Sequence, residues 1–289
     1  MNPDGRFVDC TYGRGGHAGA ILEKLTGNGR LMVIDRDIEA IRHANETYGG
    51  DDRVVVVHGP FSDIARFVDE HGMRPVDGVL LDLGVSSPQL DEGARGFSFD
   101  RDGPLDMRMD QSRGEPASQW LMAAGEKEIA RVVATYGEER FARRIARAIV
   151  EARQAEPIET TGRLTRIVEG AVPTREKHKH PATRTFQAIR IFINSELDEL
   201  EACLAAVVDL LVGRGRLVVI SFHSLEDRIV KRFMRDMARG ERLPERLPVR
   251  DAEIARNLKL VGKPVRPGSE EVARNRRARS SIMRVAEKI

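Results

Sequence analysis

The stretch Phe7-Val8-Asp9-Cys10-Thr11-Tyr12-Gly13-Arg14-Gly15-Gly16-His17-Ala18-Gly19 restricts this chain to few folds. A short apolar run ends on the carboxylate of Asp9 and then breaks into glycines. Beyond them Ile21, Leu22 and Leu25 recur as on one face of a helix. The order is strand, glycine turn, helix. Glycines let backbone N–H groups approach a ligand closely, and the helix start that follows favours electron-rich groups. Such a turn suits a nucleotide-like cofactor.

The same rhythm continues towards Leu90. Leu31–Asp35, Val54–Val57 and Val79–Asp82 are apolar runs, and the first and last of these end in carboxylates. Helical periods marked by Ile38 and Ile41, and by Ile64, Phe67 and Val68, lie between them. Continuously apolar strands joined by helices predict an α/β fold with a parallel, doubly wound sheet.

From Asp91 to Pro116 the period is lost. A loop this long is usually functional or disordered, and its Phe97, Phe99, Leu105, Met107 and Met109 predict some burial. Residues 117–193 then read as helix after helix. In Arg140–Ile149, the apolar Phe141, Ile145 and Ala148 share one face, and Arg140, Arg143, Arg144 and Arg147 occupy the other. Pro181 fits the first turn of a last helix carrying Phe186, Ile189 and Ile193. Ser195, with Asp198 at the third helical position, predicts a capped helix that Gly213 and Gly215 stop. Leu217–Ser221 is a buried strand, Phe222–Asp227 opens another helix, and residues 240–256 form a charged loop. Leu258–Val261 and Ser281–Val285 are short strands able to complete the sheet. The predicted division is therefore 1–92 with 194–289 as one sheet domain, and 93–193 as an inserted all-helical domain for substrate recognition.

Cys10 and Cys203 are far apart in sequence and fit neither a disulfide framework nor a thiolate metal site. A reducing compartment, the cytoplasm, is expected. No apolar run approaches the ~20 residues that span a bilayer, and the first residues are not expected to act as a signal peptide. The net charge is only +2, so a polyanionic partner must be argued from where the charges sit.

Gly13-x-Gly15-x-x-Ala18 satisfies the glycine fingerprint, and Asp35 ends the second strand, where a carboxylate accepts both hydroxyls of a ribose. NAD-dependent oxidoreductases and methyltransferases share that signal. Asp9 separates them. It would repel a pyrophosphate but can hold the ammonium of S-adenosylmethionine. Asp82 ends the fourth strand before Leu83-Gly84-Val85-Ser86-Ser87-Pro88-Gln89, and ligands of open α/β sheets bind beyond the carboxyl ends of strands.

Several longer stretches resemble the RsmH (MraW) family, which N4-methylates a cytosine of 16S ribosomal RNA in the decoding region. They are Thr11–His17, His58–Ser62, Leu81–Leu90, Gly96–Asp110, Tyr136–Phe141, His180–Arg190, Ser221–Asp227 and Arg277–Ser281. The resemblance implies a class I S-adenosylmethionine methyltransferase fold: a Rossmann-like parallel sheet with an antiparallel last strand and an inserted helical domain. It implies that Gly15, Gly16 and His17 bind the methionine end of the cofactor. Asp35 would take the ribose, Phe61 and Asp82 the adenosine region, and Gln89 would complete the site. It also implies a segment before the first strand with a His-x-Pro-Val-Leu-Leu-like motif, which this sequence lacks, so the cofactor pocket is expected to miss one wall.

The exocyclic amine of cytosine is a poor nucleophile, because its lone pair is delocalised into the ring. In-line positioning against a sulfonium supplies much of the barrier reduction, and hydrogen-bond acceptors on the amine supply more. Asp82, or carbonyls around Ser86, Ser87 and Pro88, are the expected catalytic groups. Ser87-Pro88-Gln89 resembles half of the Ser/Asp-Pro-Pro-aromatic turn of DNA amino-methyltransferases, so Phe97 or Phe99 is expected to supply the missing stacking surface. Between Arg131 and Arg190 there are 13 Arg and Lys against 7 Asp and Glu. Arg140, Arg144, Lys177, Lys179 and Arg184 are thus candidate phosphate contacts, and Arg274–Arg284 adds another basic cluster. Asp106 and His223 either face the substrate or serve as structural hydrogen-bonding groups. His178 and His180 lie among lysines, so no metal is expected. The expected partner is 16S rRNA in the small subunit, with no membrane and a monomeric or homodimeric protein. The competing readings are an oxidoreductase and an RNA-binding assembly factor without catalysis.

Overall fold

The computed structural model describes residues 1–174, 180–240 and 256–289. They form two compact units, Met1–Gly84 with Leu197–Ile289, and Val85–Glu196.

The first unit is built on a seven-stranded sheet. Its strands are β1 (Arg6–Asp9), β2 (Arg30–Asp35), β3 (Val54–His58), β4 (Val76–Asp82), β5 (Leu211–Ser221), β6 (Leu258–Leu260) and β7 (Ile282–Lys288). Their order is β3-β2-β1-β4-β5-β7-β6. β1 to β5 are parallel, and β7 runs antiparallel to both β5 and β6. This is the class I methyltransferase sheet, with the last strand of the chain reversed. The helices of this unit are α1 (Gly16–Leu22), α2 (Ile38–Tyr48), α3 (Ile64–Glu70), then, after the helical unit, α10 (Glu196–Leu210, whose first residue belongs to the other unit), α11 (Ser224–Arg239) and α12 (Ser269–Arg274).

Strand alternation decides what each face buries. Val8, Val79, Leu81, Leu217 and Val219 are enclosed with Phe67 of α3, Leu204 of α10 and Val230 of α11. Leu31 and Val33 face the other way, onto Ala18 of α1 and Ala44 of α2. On that second side Phe7, Leu80 and Val218 border an open groove of about 520 Å³, which Ile21 and Val212 also line. The fifth strand begins earlier than its apolar core at Leu217 suggests. Its register against β4 shifts between Val76–Leu211 and Gly78–Arg216, and Arg214 adopts a φ of 67° within that shift.

The second unit contains α4 (Ser87–Asp91), α5 (Ala117–Ala123), α6 (Glu126–Gly137), α7 (Ala142–Ala155), α8 (Thr161–Ala171) and α9 (Thr183–Ile193). The aperiodic stretch between α4 and α5 packs into them. Phe97, Leu105, Met107 and Met109 join Leu121, Ile129, Ile145, Leu164 and Ile189 in one core. Burying such side chains is worth about 1.5–3 kcal/mol each, which offsets part of the ~1–2 kcal/mol per residue that ordering a backbone costs. Two polar groups hold the stretch in place. Arg95 donates from Nη2 to the carbonyls of Arg108 and Met109. Asn194, after α9, accepts from the Met109 N–H at 2.8 Å and donates to the Met107 carbonyl at 2.7 Å.

Candidate active site

The carboxyl ends of β1, β2 and β4 are neighbours in the sheet, and each ends in an aspartate: Asp9, Asp35 and Asp82. Asp9 is fully buried. Its Oδ1 accepts the Thr11 N–H at 3.1 Å, and its Oδ2 has no partner. Burial pushes its carboxyl up from 3.8 to about 7, and the charges of Asp82 and Asp35 add to that rise. Asp35 keeps some exposed surface, but its carboxyl is enclosed, and burial pushes it up to about 6. It holds the turn from behind, accepting from the Gly13 N–H at 2.8 Å and from the Asp37 N–H at 2.8 Å. Asp82 Oδ2 lies 3.4 Å from His17 Nε2, while its Oδ1 is buried without a partner. The hydrogen bond to Asp82 holds the His17 imidazole above its usual pKa, against partial burial.

The glycines of the turn have different tasks. Gly13 and Gly15 adopt φ values of 56° and 76°. A Cβ on Gly15 would meet the Tyr12 hydroxyl at 2.8 Å, whereas one on Gly16 would meet nothing within 4 Å. Gly15 is therefore required by the turn itself. The open space above Gly16 leaves its backbone accessible to a ligand.

This arrangement favours a cation. Three acidic side chains at the strand ends disfavour the negative charge of a pyrophosphate, which argues against a dinucleotide here. The enclosed, unpartnered Oδ2 of Asp9 is an acceptor for an ammonium, because a buried polar atom left unpaired is costly. The residues present thus fit S-adenosylmethionine, whose amino-acid end carries an ammonium and whose sulfur is a sulfonium. Bound there, it supplies an electrophilic methyl group.

A family model described as the MraW methylase family matches residues 1–289. The chain belongs to the MraW methylase family. It is a methyltransferase, and its methyl donor is S-adenosylmethionine. Among solved structures it resembles an rRNA-methylase candidate of Clostridium thermocellum, at 13% identity and TM-score 0.46 over 100% of this chain and 91% of that one. It also resembles a methyltransferase candidate of Streptococcus mutans in complex with SAH, at 10% identity and TM-score 0.43 over 99% and 89% of the two chains. An rRNA methylase of Streptococcus thermophilus gives 10% identity and TM-score 0.43 over 100% and 89%. At these values the likeness carries no argument.

Of the other residues singled out in the sequence, Phe61 is half-buried in a short 3-10 turn after β3, packed against the core beneath α3. Ser87 is exposed and Pro88 half-exposed in the first turn of α4, and buried Gln89 caps that helix by accepting the Ser86 N–H at 3.0 Å. Arg144 is exposed. Arg140 donates to Thr174 Oγ1 at 2.6 Å, and Arg184 donates to the Glu138 carbonyl at 2.6 Å. Lys177 and Lys179 lie outside the described residues.

One expectation needs correction. Phe97 is core, 6% exposed, with the Arg95 guanidinium 5.8 Å from its ring. It has no face for a base, because the stretch around it can be ordered only by burying its apolar side chains. Phe99 is half-buried, stacked on His180 at 4.6 Å and edge-on to Phe186, so one of its faces is taken. Of the two alternatives for Asp106 and His223, their hydrogen bonds fit the structural one. Asp106 accepts from Arg108 Nε and Nη2 and from Gln111. His223 caps α11 through Nδ1, while Glu226 reaches back to the Phe222 and His223 N–H groups.

Thr11 and Tyr12 escaped the sequence reading as site residues. Thr11 Oγ1 accepts the Asp82 N–H at 2.7 Å and ties the ends of β1 and β4 together. Tyr12, buried beneath Gly15, shares a 2.8 Å hydrogen bond with His43 Nδ1. Their position directly after the first strand was the available signal.

Proposed function

We propose that this methyltransferase transfers a methyl group to the exocyclic N4 of a cytidine in the decoding region of 16S rRNA, in the small ribosomal subunit and in the cytoplasm. The observation that carries the reading is Asp82, whose unpartnered Oδ1 at the carboxyl end of β4 is an acceptor for an amine hydrogen. The target nucleotide follows from the sequence stretches shared with the RsmH family. In this reading Asp9 holds the ammonium of the cofactor and Gly15, Gly16 and His17 its methionine end. Asp35 takes the ribose, Phe61 lies along the adenine, and Gln89 completes the site. Asp82 draws the amine lone pair out of the ring by accepting a hydrogen bond. It then takes the proton that the nitrogen sheds after the N–C bond has formed and the C–S bond has broken. Carbonyls around Ser87 and Pro88 accept the second amine hydrogen. The helical unit recognises the RNA, with Arg140, Arg144 and Arg184 among its contacts.

The test is to incubate the protein with small subunits lacking the modification and with methyl-labelled cofactor, and then to map the label. Label on N4 of a decoding-region cytidine is expected, and Asp82→Asn should lower turnover at least ~100-fold. Label on another base overturns the assignment. RNA binding without any transfer would leave only an assembly factor.

A further inference from the structure

We infer that the outer face of α6 and α7 is a docking groove for an unpaired stretch of RNA, with phosphates on Lys127, Arg131 and Arg143 and a base against Arg140 and Phe141. Lys127, Ala130, Arg131 and Ala134 are spaced i, i+3, i+4 and i+7 on α6, opposite the buried Ile129, Val132 and Val133. With the first turn of α7 they surround a depression of about 850 Å³, a volume within the range of small-molecule sites.

Charge points to an anion. Lys127, Arg131, Arg140, Arg143 and Arg144 line the depression together with only two acids, Glu126 and Glu139. Glu139 is turned inward, 8% exposed, and its carboxylate accepts the Phe141 N–H at 2.8 Å. Among the described residues, none of Lys127, Arg131, Arg143 and Arg144 has a carboxylate partner. Other exposed arginines do, as Arg66 with Asp63 and Arg74 with Asp69. A merely solvated helix face gains from opposite charges at i,i+4. Here Lys127 and Arg131 on α6, and Arg143 and Arg147 on α7, place like charges at that spacing, which destabilises a helix until an anion lies between them.

The apolar floor selects among anions. Phe141 is half-buried between the two helices, and the Arg140 guanidinium lies 4.6 Å from its ring centroid. A guanidinium plane and an aromatic ring form a stacking platform for an unstacked base, which a duplex does not offer and an acidic peptide does not possess. The inference rests on the proposed function only in taking RNA as the substrate class.

The test measures binding of the full chain to a short single-stranded oligoribonucleotide, to the same sequence in a duplex and to a polyglutamate peptide over a range of salt. The single strand should bind tightest. Replacing Lys127, Arg131 and Arg143 together by Ala should reduce the slope of log affinity against log salt by about two, at roughly 0.7 per lost phosphate contact. Phe141→Leu should weaken single-strand binding about tenfold and leave duplex binding unchanged. The triple variant should keep or raise its thermal midpoint, since it removes like-charge repulsion. With small subunits as substrate its KM should rise while kcat holds. Unchanged affinity and salt slope in the triple variant, or equal binding of duplex or peptide, would overturn the groove. Wild-type protein that binds the single strand through these residues but methylates no subunit would refute the proposed function and leave the groove standing.

Discussion

Burial, only partly opposed by the Thr11 N–H and the His17 charge, pushes the Asp9 carboxyl from 3.8 to about 7. An unfolded chain ionises this group above its ordinary value, whereas the folded chain keeps it protonated up to about 7. Stability is therefore fullest at low pH and falls between those two values, by ~4 kcal/mol for a shift of about three units. Asp9→Asn, which retains an acceptor for the Thr11 N–H, should stabilise the cofactor-free protein at pH 8 by up to ~4 kcal/mol in urea unfolding. The same residue sets the pH dependence of binding. An ammonium favours the ionised carboxylate, so binding releases a proton below pH 7. The affinity for S-adenosylhomocysteine should then drop about tenfold per pH unit below that point. In Asp9→Asn, calorimetry should find weaker binding that has lost this slope. Asp35, pushed up to about 6, and His17 also belong to this site, and the slope that survives in the variant measures their share. A variant no more stable than the wild type at pH 8 would refute the assignment of the buried charge.

Among the elements, the stretch between α4 and α5 is the one whose order depends on distant groups. Met107, buried and without the freedom of glycine, sits at a φ of 63°, a conformation that costs a non-glycine residue roughly 1–2 kcal/mol. Asn194 holds it there by bonding to Met107 and Met109 and, from the same amide, to the Arg190 carbonyl. Asn194→Ala leaves the buried Met109 N–H unpaired and should cost ~1–3 kcal/mol. Hydrogen exchange should show protection lost first in peptides covering residues 96–116. A uniform loss across the helical unit would place the constraint elsewhere. The strands and helices around this stretch were legible because their apolar periods are local. The stretch itself was not, because its order depends on Arg95 and Asn194, and no periodicity connects either to Met107.

At the scale of the whole molecule, the proposed cofactor groups come from three strand ends far apart in the chain but adjacent in the sheet. Adding S-adenosylhomocysteine at about 100 times its Kd should stabilise the folded state by ~2.7 kcal/mol. The gain in exchange protection should concentrate in peptides covering 8–19, 33–37, 58–64 and 80–84. Protection in 85–91 would support Gln89 as part of the site. Protection confined to the helical unit would contradict the site at the strand ends. No helix among the described residues is long and apolar enough to cross a membrane.

The sequence by itself determined the α/β rhythm, the glycine turn and the three strand-ending aspartates, because backbone propensity and strand alternation act between near neighbours. It also contained the preference for a cation over a pyrophosphate, since Asp9 precedes the turn directly. Only the tertiary structure decided which oxygens of Asp9 and Asp82 stay unpartnered and that Thr11 links two strand ends. It alone turned Phe97 into core and gave Asp106 and His223 their hydrogen-bond partners. It also brought α6 and α7 together into one basic groove. These outcomes depend on which surfaces are removed from water when remote segments pack. A sequence records the charge or ring at a position but not the neighbours that will satisfy or cover it.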